Sequence, residues 1–205
     1  MMMNLMLLFI SYLIGSIPTA MLVSKARSGK DIRDMGDGNM GARNTTHVLG
    51  WRAGILVAVV DFNKGMLAVL LMRHFNSNLD WQLVAGLCAV LGHDFPLFAG
   101  FKGGQGMATI LGMLLILIPV ETLVGLACFG IAYLFWHNFD LSAGLGLATL
   151  AFLAWRSDQP NLMEGFIVVL FLSIPVKKAL DWPRRHRLAG NRIVDPQGTD
   201  AAQHS

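Results

Sequence analysis

The sequence predicts an all-α integral membrane protein, a compact bundle of about seven transmembrane helices with its functional site on the cytoplasmic face. The 205 residues are 54% hydrophobic and only 14% charged, whereas soluble domains carry roughly a quarter charged residues. The hydrophobic residues form long runs, and most charged residues gather between them. This composition excludes a disordered protein, a nucleic-acid-binding domain and, with only two cysteines, a secreted disulfide framework.

Seven apolar segments can form these helices, because a bilayer core of about 30 Å needs roughly 20 residues and a helix inside a bundle needs fewer. The first segment has neither a basic stretch before it nor a small-residue cleavage site, so we expect it to remain as a helix. The predicted spans are residues 4–24, 52–73, 80–98, 107–119, 122–137, 141–156 and 161–181.

Basic residues predict the orientation of the chain. They concentrate in residues 25–52 and 177–192, with Lys102 between them, whereas the opposite side carries Arg73 and Arg156. Because cationic loops stay in the cytoplasm, we expect the N-terminus outside and the C-terminus inside. We also expect a single transmembrane domain over residues 1–189. The polar residues 190–205 should form a disordered cytoplasmic tail.

The first polar segment, residues 25–50, contains five glycines among cations, carboxylates and asparagines. Glycines allow backbone N–H groups to converge on an anion, and Arg33 and Arg43 could add bidentate phosphate contacts. The segment could therefore hold a phosphate group. A solvated basic loop that meets anionic lipid head groups is an equally good interpretation of this composition.

The second polar segment, residues 92–109, carries the motif KGGQG directly before an apolar run. A glycine-rich loop that leads into a helix N-terminus favours anion binding, because the unpaired N–H groups and the helix dipole attract negative charge. The spacing does not match the nucleotide motif GxxxxGK[ST], so ATP is not implied. The alternative is a re-entrant glycine turn packed between helices.

Charged residues also interrupt the apolar runs. Asp61 and Lys64 lie on one face of the second span, where they form either a purely structural ion pair or part of a site. His93 ends the third span, and His137 and Asp140 lie between the fifth and sixth spans. All these groups fall at one membrane face. A shallow cytoplasmic active site therefore fits better than a pore or a transporter with a midplane site.

Four motifs occur in a characteristic order: IGSIPTAMLVSK, DIRDMGDGNMGARN, DFNKG and GHDFPLFAGFKGGQGMAT. In these motifs, from about residue 12 to 110, the chain resembles the bacterial acyl-phosphate-dependent glycerol-3-phosphate acyltransferases of the PlsY type. The resemblance implies a seven-helix bacterial inner-membrane enzyme. Such an enzyme transfers a fatty acyl group from acyl phosphate to glycerol 3-phosphate and forms lysophosphatidate for phospholipid synthesis. It implies membrane lipids as surroundings, and no cofactor, metal ion or nucleic acid.

The resemblance also implies site residues. Lys102 and Arg33 would neutralise the leaving phosphate and stabilise the oxyanion, and His93 or His186 would assist proton transfer. No covalent acyl-enzyme is expected, because neither polar segment offers a cysteine or a serine–histidine pair. The implied substrate-binding residues are Gly36, Asp37, Gly38, Asn39, Gly41, Arg43, Asn44, Gly103, Gly104, Gln105, Gly106, Thr109, His137 and Asp140.

Two departures from the family pattern change the charge around the expected phosphate. Asp37 stands where the motif GSGNxGAxN has serine, and Gln105 stands where KGGKGVAT has its second lysine. At each near contact the change weakens attraction for a dianion by about 1 kcal/mol or more. A remaining cation such as Arg43 or Lys102 compensates, a metal ion bridges the carboxylates, or the substrate has changed.

Further departures lie towards the C-terminus. His137 and Asp140 take the arginine and serine places of the family pattern RYxSLxS, and Ala189 stands where an asparagine is expected after His186. Two alternatives to the expected function therefore stay open. One is a divergent relative that acylates a different acceptor, and the other is a non-catalytic lipid-binding or scaffold protein.

Overall fold

The computed structural model describes residues 1–157 and 160–194, and for residues 161 and 184–194 only the backbone. Within these ranges the chain forms α-helices and two short 3-10 helices, at Ile32–Asp34 and Leu97–Ala99. The α-helices are α1 (Met2–Gly15), α2 (Thr19–Ser28), α3 (Ala42–Leu49), α4 (Trp51–Phe75), α5 (Leu79–Asp94), α6 (Met107–Leu117), α7 (Pro119–Trp136), α8 (Phe139–Arg156) and α9 (Asn161–Val194).

The all-α membrane fold class is confirmed, and each predicted span is helical, the first of them as two helices, α1 and α2. Among the described residues, four stretches are long and apolar enough to cross a bilayer: Met2–Ser28, Trp51–Phe75, Leu79–Ala99 and Pro119–Trp136. Met107–Leu117 is a shorter apolar helix. Large apolar side chains on these helices are exposed, among them Phe135 at 78%, as expected for surfaces that face lipid. The protein is therefore a multi-pass integral membrane protein.

The first predicted span is not one continuous helix. Ser16–Pro18 separate α1 from α2, because Pro18 has no N–H to donate and disfavours helical geometry in Ile17 before it. The break leaves the Ile17 carbonyl outside a helical ladder, where it accepts a hydrogen bond from Lys64 of α4 at 2.6 Å. The break within the first span thus forms a contact with the span formed by α4.

Two other boundaries differ from the expectations. The first polar segment contains the eight-residue helix α3, although its residues are mostly polar. At the other end, α9 continues through Val194, which includes the first residues of the tail expected from residue 190. Residues 195–205 of that tail lie outside the described residues. Hydropathy alone does not indicate either stretch, because both are rich in polar residues.

Glycines allow α4 and α6 to pack closely beside the site. A Cβ on Gly65 would collide with the Thr109 carbonyl oxygen, and one on Gly112 would collide with that of Phe62. The Thr109 hydroxyl crosses the same interface and donates to the Asp61 carbonyl at 3.0 Å. Next to this contact, an apolar core joins α4, α6, α8 and α9. Its buried members include Val69, Ile110, Leu114, Leu150 and Leu170.

Candidate active site

A cavity of about 280 Å³ lies where the polar helix ends converge. Its walls come from the first polar segment, the middle of α4, the end of α5, the start of α6, the middle of α7, the first half of α8, and α9. Its polar lining residues are Asp37, Asn39, Arg43, Asp61, His93, Gln105, Asp140 and Lys178. Its apolar wall is formed mainly by Ala58, Leu111, Leu126, Phe129, Phe139, Ala143 and Leu147, with Gly125 and Gly146.

Asn44 organises the first polar segment from its buried position on α3. Its side-chain amide donates to the carbonyls of Ile32, Met35 and Asn39 at 3.4, 3.1 and 3.0 Å, respectively. Its side-chain oxygen accepts the Asp37 N–H at 2.9 Å. Asn44 therefore shapes the segment from behind, and it does not line the cavity.

Asp37 and Asn39 are the residues that this shape presents to the cavity. The Asp37 carboxylate accepts the Asn39 N–H at 2.9 Å, which fixes the turn between them. The side-chain oxygen of Asn39 is buried and has no hydrogen-bond partner among the described residues. A buried acceptor without a partner is costly, so a hydrogen bond from a ligand would be favourable here. This oxygen is therefore available to a substrate hydroxyl.

Arg33 joins the two polar segments. Its guanidinium forms a two-pronged contact with Asp31, at 2.8 and 3.1 Å, and donates to the Ala99 carbonyl at 2.7 Å. The hydrogen bond and charge of Arg33 lower the pKa of the Asp31 carboxyl below its ordinary value. Arg33 does not line the cavity, so its contacts position the loops. This differs from the expected contact with a phosphate.

The second polar segment is held by backbone hydrogen bonds to the end of α5. The N–H groups of Gly103 and Gly104 donate to the carbonyls of Asp94 and His93 at 3.1 and 3.2 Å. These two amides are therefore occupied, contrary to the expectation that they cradle an anion. Lys102, at the start of the motif, is exposed and does not line the cavity.

The start of α6 is the part of this segment whose geometry favours an anion. Gly106 adopts a left-handed conformation with φ of 65° and turns the chain into the helix. Gln105, Gly106, Met107 and Ala108 then line the cavity. The first N–H groups of a helix have no partners within it, and together with the helix dipole they attract anions.

A buried charged cluster adjoins the cavity beside α5. Asp61 and Lys64 are 2% and 3% exposed and form an ion pair at 2.6 Å, so the pair inferred from the sequence is present. His93 lies next to them, with its Nδ1 3.7 Å from the Asp61 carboxylate. A Cβ on Gly104 would collide with the His93 ring. The histidine is thus held between the carboxylate and the glycine motif, with its ring at the cavity wall.

An ion pair joins α3 to α8 beside the cavity. Arg43 donates to Asp140 at 2.9 Å, and its guanidinium also lies 5.0 Å from the centre of the Phe139 ring. Both members of the pair are well exposed. His137 stands apart from this contact, because it ends α7 in a left-handed conformation with φ of 51° and does not line the cavity.

The cavity thus brings together part of the expected set. The expected residues that line it are Asp37, Asn39, Gly41, Arg43, His93, Gln105, Gly106 and Asp140. Those that do not are Arg33, Gly36, Gly38, Asn44, Lys102, Gly103, Gly104, Thr109 and His137. The side chain of His186 lies outside the described residues.

Sequence reasoning missed two groups of lining residues. Lys178 contributed only to the predicted orientation, although it lines the cavity from α9. The small residues Gly125, Ala143 and Gly146 make room for the apolar wall, and in a sequence they look like ordinary helix packing. Among the described residues, no group of three or more histidine, cysteine, aspartate or glutamate side chains is arranged to hold a metal ion.

Comparisons with known proteins identify relatives of this chain. The family model described as glycerol-3-phosphate acyltransferase matches residues 5–193. Glycerol-3-phosphate acyltransferase 1 of Dehalococcoides mccartyi is 38% identical over 200 residues, which cover 93% of this chain and 96% of the relative.

Two crystal structures of PlsY (YgiH), an integral membrane glycerol 3-phosphate acyltransferase, share the fold. The glycerol 3-phosphate form has a TM-score of 0.78 at 31% identity and covers 93% of this chain and 92% of its own. The lysophosphatidic acid form has a TM-score of 0.74 at 29% identity and covers 93% and 91%. Substrate and product of acyl transfer are thus bound in structures of this fold.

Proposed function

The chain belongs to the glycerol-3-phosphate acyltransferase family and is such an enzyme, and we propose that its acyl donor is an acyl phosphate. The product is lysophosphatidate, a precursor of membrane phospholipids. The observation that carries the proposal is one cavity in which an apolar wall adjoins the N-terminus of α6. An acyl phosphate has the same two parts, a long alkyl chain and a phosphate group.

The cavity lining suggests where each part of the substrates binds. The alkyl chain packs against Leu111, Phe129 and Ala143, where its burial releases water from apolar surface. The phosphate groups lie near Arg43 and the first turn of α6. The buried oxygen of Asn39 accepts a hydrogen bond from the glycerol moiety.

The reaction needs no covalent intermediate with the protein. The primary hydroxyl oxygen of glycerol 3-phosphate forms a bond to the acyl carbonyl carbon, and the bond between that carbon and the phosphate oxygen breaks. Inorganic phosphate leaves and finally takes the proton that the hydroxyl loses. We place His93 beside the hydroxyl during this transfer, because its ring lines the cavity next to Asp61. The start of α6 stabilises the developing negative charge.

The fold also supports a topology of seven spans, with α1 and α2 together forming the first and α4 to α9 the others. We propose that the N-terminus lies outside a bacterial inner membrane and that the cavity opens to the cytoplasm. Basic residues of the first polar segment and of the end of α9 support this orientation. A reporter enzyme fused after Ser205 should be active in the cytoplasm, and activity only in the periplasm would contradict the orientation.

The donor is tested with purified protein in lipid, given glycerol 3-phosphate and either palmitoyl phosphate or palmitoyl coenzyme A. We expect inorganic phosphate and lysophosphatidate to form in equal amounts from palmitoyl phosphate, and little product from the thioester. Arg43→Gln should lower the rate, whereas Arg27→Gln, on the exposed face of α2, should not. Product from palmitoyl coenzyme A but not from palmitoyl phosphate would show that the proposed donor is wrong.

A further inference from the structure

Lys178 extends from α9 to the same cavity that Arg43, Gln105 and the start of α6 line. Its side chain is exposed, and it has no ion-pair or hydrogen-bond partner among the side chains that the structure describes. The cavity therefore contains a lysine whose charge no neighbouring carboxylate within that part of the chain neutralises.

Other basic side chains around the cavity are already committed to partners. Arg43 contacts Asp140, and Lys64 is buried with Asp61 and the Ile17 carbonyl. Since Lys64 is buried with its partners, little of its charge remains for a ligand, whereas exposed Arg43 shares its charge between Asp140 and a bound phosphate. The pairs are Arg43–Asp140 at 2.9 Å, Lys64–Asp61 at 2.6 Å and, on α9, Lys177–Asp181 at 2.6 Å.

The preceding residue fixes the direction in which Lys178 points. Lys177 is 3% exposed, pairs with Asp181 one helical turn later and lies 5.1 Å from the centre of the Phe95 ring. These contacts set the rotation of α9 against the end of α5. Because successive helical residues differ by about 100° in direction, burying Lys177 presents Lys178 to a different side, the cavity.

The chemistry of the cavity requires such a cation. Three carboxylates line it, of Asp37, Asp61 and Asp140, and Gln105 stands where the family motif has a lysine. A phosphate dianion in this place needs positive charge beyond that of Arg43. We propose that Lys178 binds the phosphate group of a substrate and supplies the charge that Gln105 lacks.

The phosphate that Lys178 binds belongs either to the acyl donor or to glycerol 3-phosphate. For the acyl donor, this inference rests on the proposed function. The test compares wild type, Lys178→Gln and Lys178→Arg. Lys25→Gln, the same change in an exposed lysine of α2 outside the cavity, is the matched control. The KM for each substrate and the calorimetric Kd for glycerol 3-phosphate without donor are measured in lipid.

We expect Lys178→Gln to raise the KM for one substrate about tenfold or more, while Lys178→Arg and Lys25→Gln stay near wild type. The substrate whose KM rises identifies the phosphate that Lys178 binds. Adding Gln105→Lys to Lys178→Gln should restore binding, and this rescue separates lost charge from lost folding. Both KM values and the Kd unchanged in Lys178→Gln would overturn the inference, as would a loss that Gln105→Lys fails to restore.

The outcome is separable from that of the proposed donor. If wild type makes no product from palmitoyl phosphate, the donor assignment fails, yet the Kd for glycerol 3-phosphate still tests Lys178. In that case a Kd that is equal in wild type and Lys178→Gln overturns the inference. A weaker Kd that Gln105→Lys restores supports it.

Discussion

The two polar segments look alike in the sequence but are built differently. In the first, one buried side chain, Asn44, holds the backbone of residues 32–39 through four hydrogen bonds. In the second, backbone N–H groups of glycines bond directly to the end of α5, above a buried cluster of charges. Glycine content therefore indicates a tightly shaped loop in both cases. The group whose geometry favours an anion is instead the start of α6.

Breaking the buried ion pair of Asp61 and Lys64, next to the second segment, should have the largest effect on stability. Asp61→Asn or Lys64→Met leaves one charge buried without its partner, at a cost of about 3–5 kcal/mol. The double variant removes both charges and should recover part of that loss, as judged by folded yield and thermal unfolding in lipid.

The double variant also separates two roles of the pair. Recovered stability without activity would show that the pair serves the site in addition to supporting the fold. Losses that simply add in the double variant would contradict the ion pair.

Removing the organiser of the first segment should have a smaller effect. Asn44→Ala removes the acceptor of the Asp37 N–H and one donor from each of three carbonyls, two of which keep a backbone donor. We expect a cost of about 2–3 kcal/mol, because water replaces part of what is lost. Asn63→Ala is the control, since its amide makes one hydrogen bond at an exposed site on α4. Equal melting temperatures for the two variants would show that Asn44 does not hold the segment.

The contact of Arg33 with Asp31 predicts a still smaller effect on stability, and this effect depends on pH. Arg33 lowers the pKa of Asp31 from its ordinary value of 3.8, so the ionised carboxylate stabilises the fold above that value. This stabilisation is lost as the pH falls through the lowered pKa. Since the pair is partly exposed, it contributes less than about 1 kcal/mol.

Melting curves between pH 5 and pH 3 should show this loss in wild type. The same curves should show less of it in Asp31→Asn, which cannot ionise. If the melting temperature fell with pH equally steeply in both proteins, the assignment to Asp31 would be contradicted.

Particular residues show how far the sequence could predict this molecule. Long apolar runs located the helices, because bilayer thickness imposes a minimum length that composition reveals. Clusters of polar residues located the loops of the site. The sequence could not show that the N–H groups of Gly103 and Gly104 donate to carbonyls at the end of α5. These hydrogen bonds depend on how the loop folds back onto that helix in three dimensions.

The sequence also could not show which side chains of α9 and α8 face the cavity. Lys177 and Lys178 are identical in type and adjacent in sequence, and only the rotation of the helix decides which is buried and which lines the cavity. Ala143 and Ala148 pose the same problem on α8. One lines the cavity and the other is exposed outside it.

These two alanines allow the most direct test of the central claim that this cavity holds the acyl donor. Ala143→Leu should fill the apolar wall and lower kcat/KM for palmitoyl phosphate by about 100-fold, with the KM for glycerol 3-phosphate nearly unchanged. Ala148→Leu adds the same volume on the exposed side of α8 and should behave as wild type. Equal kcat/KM for palmitoyl phosphate in the two variants would contradict the claim.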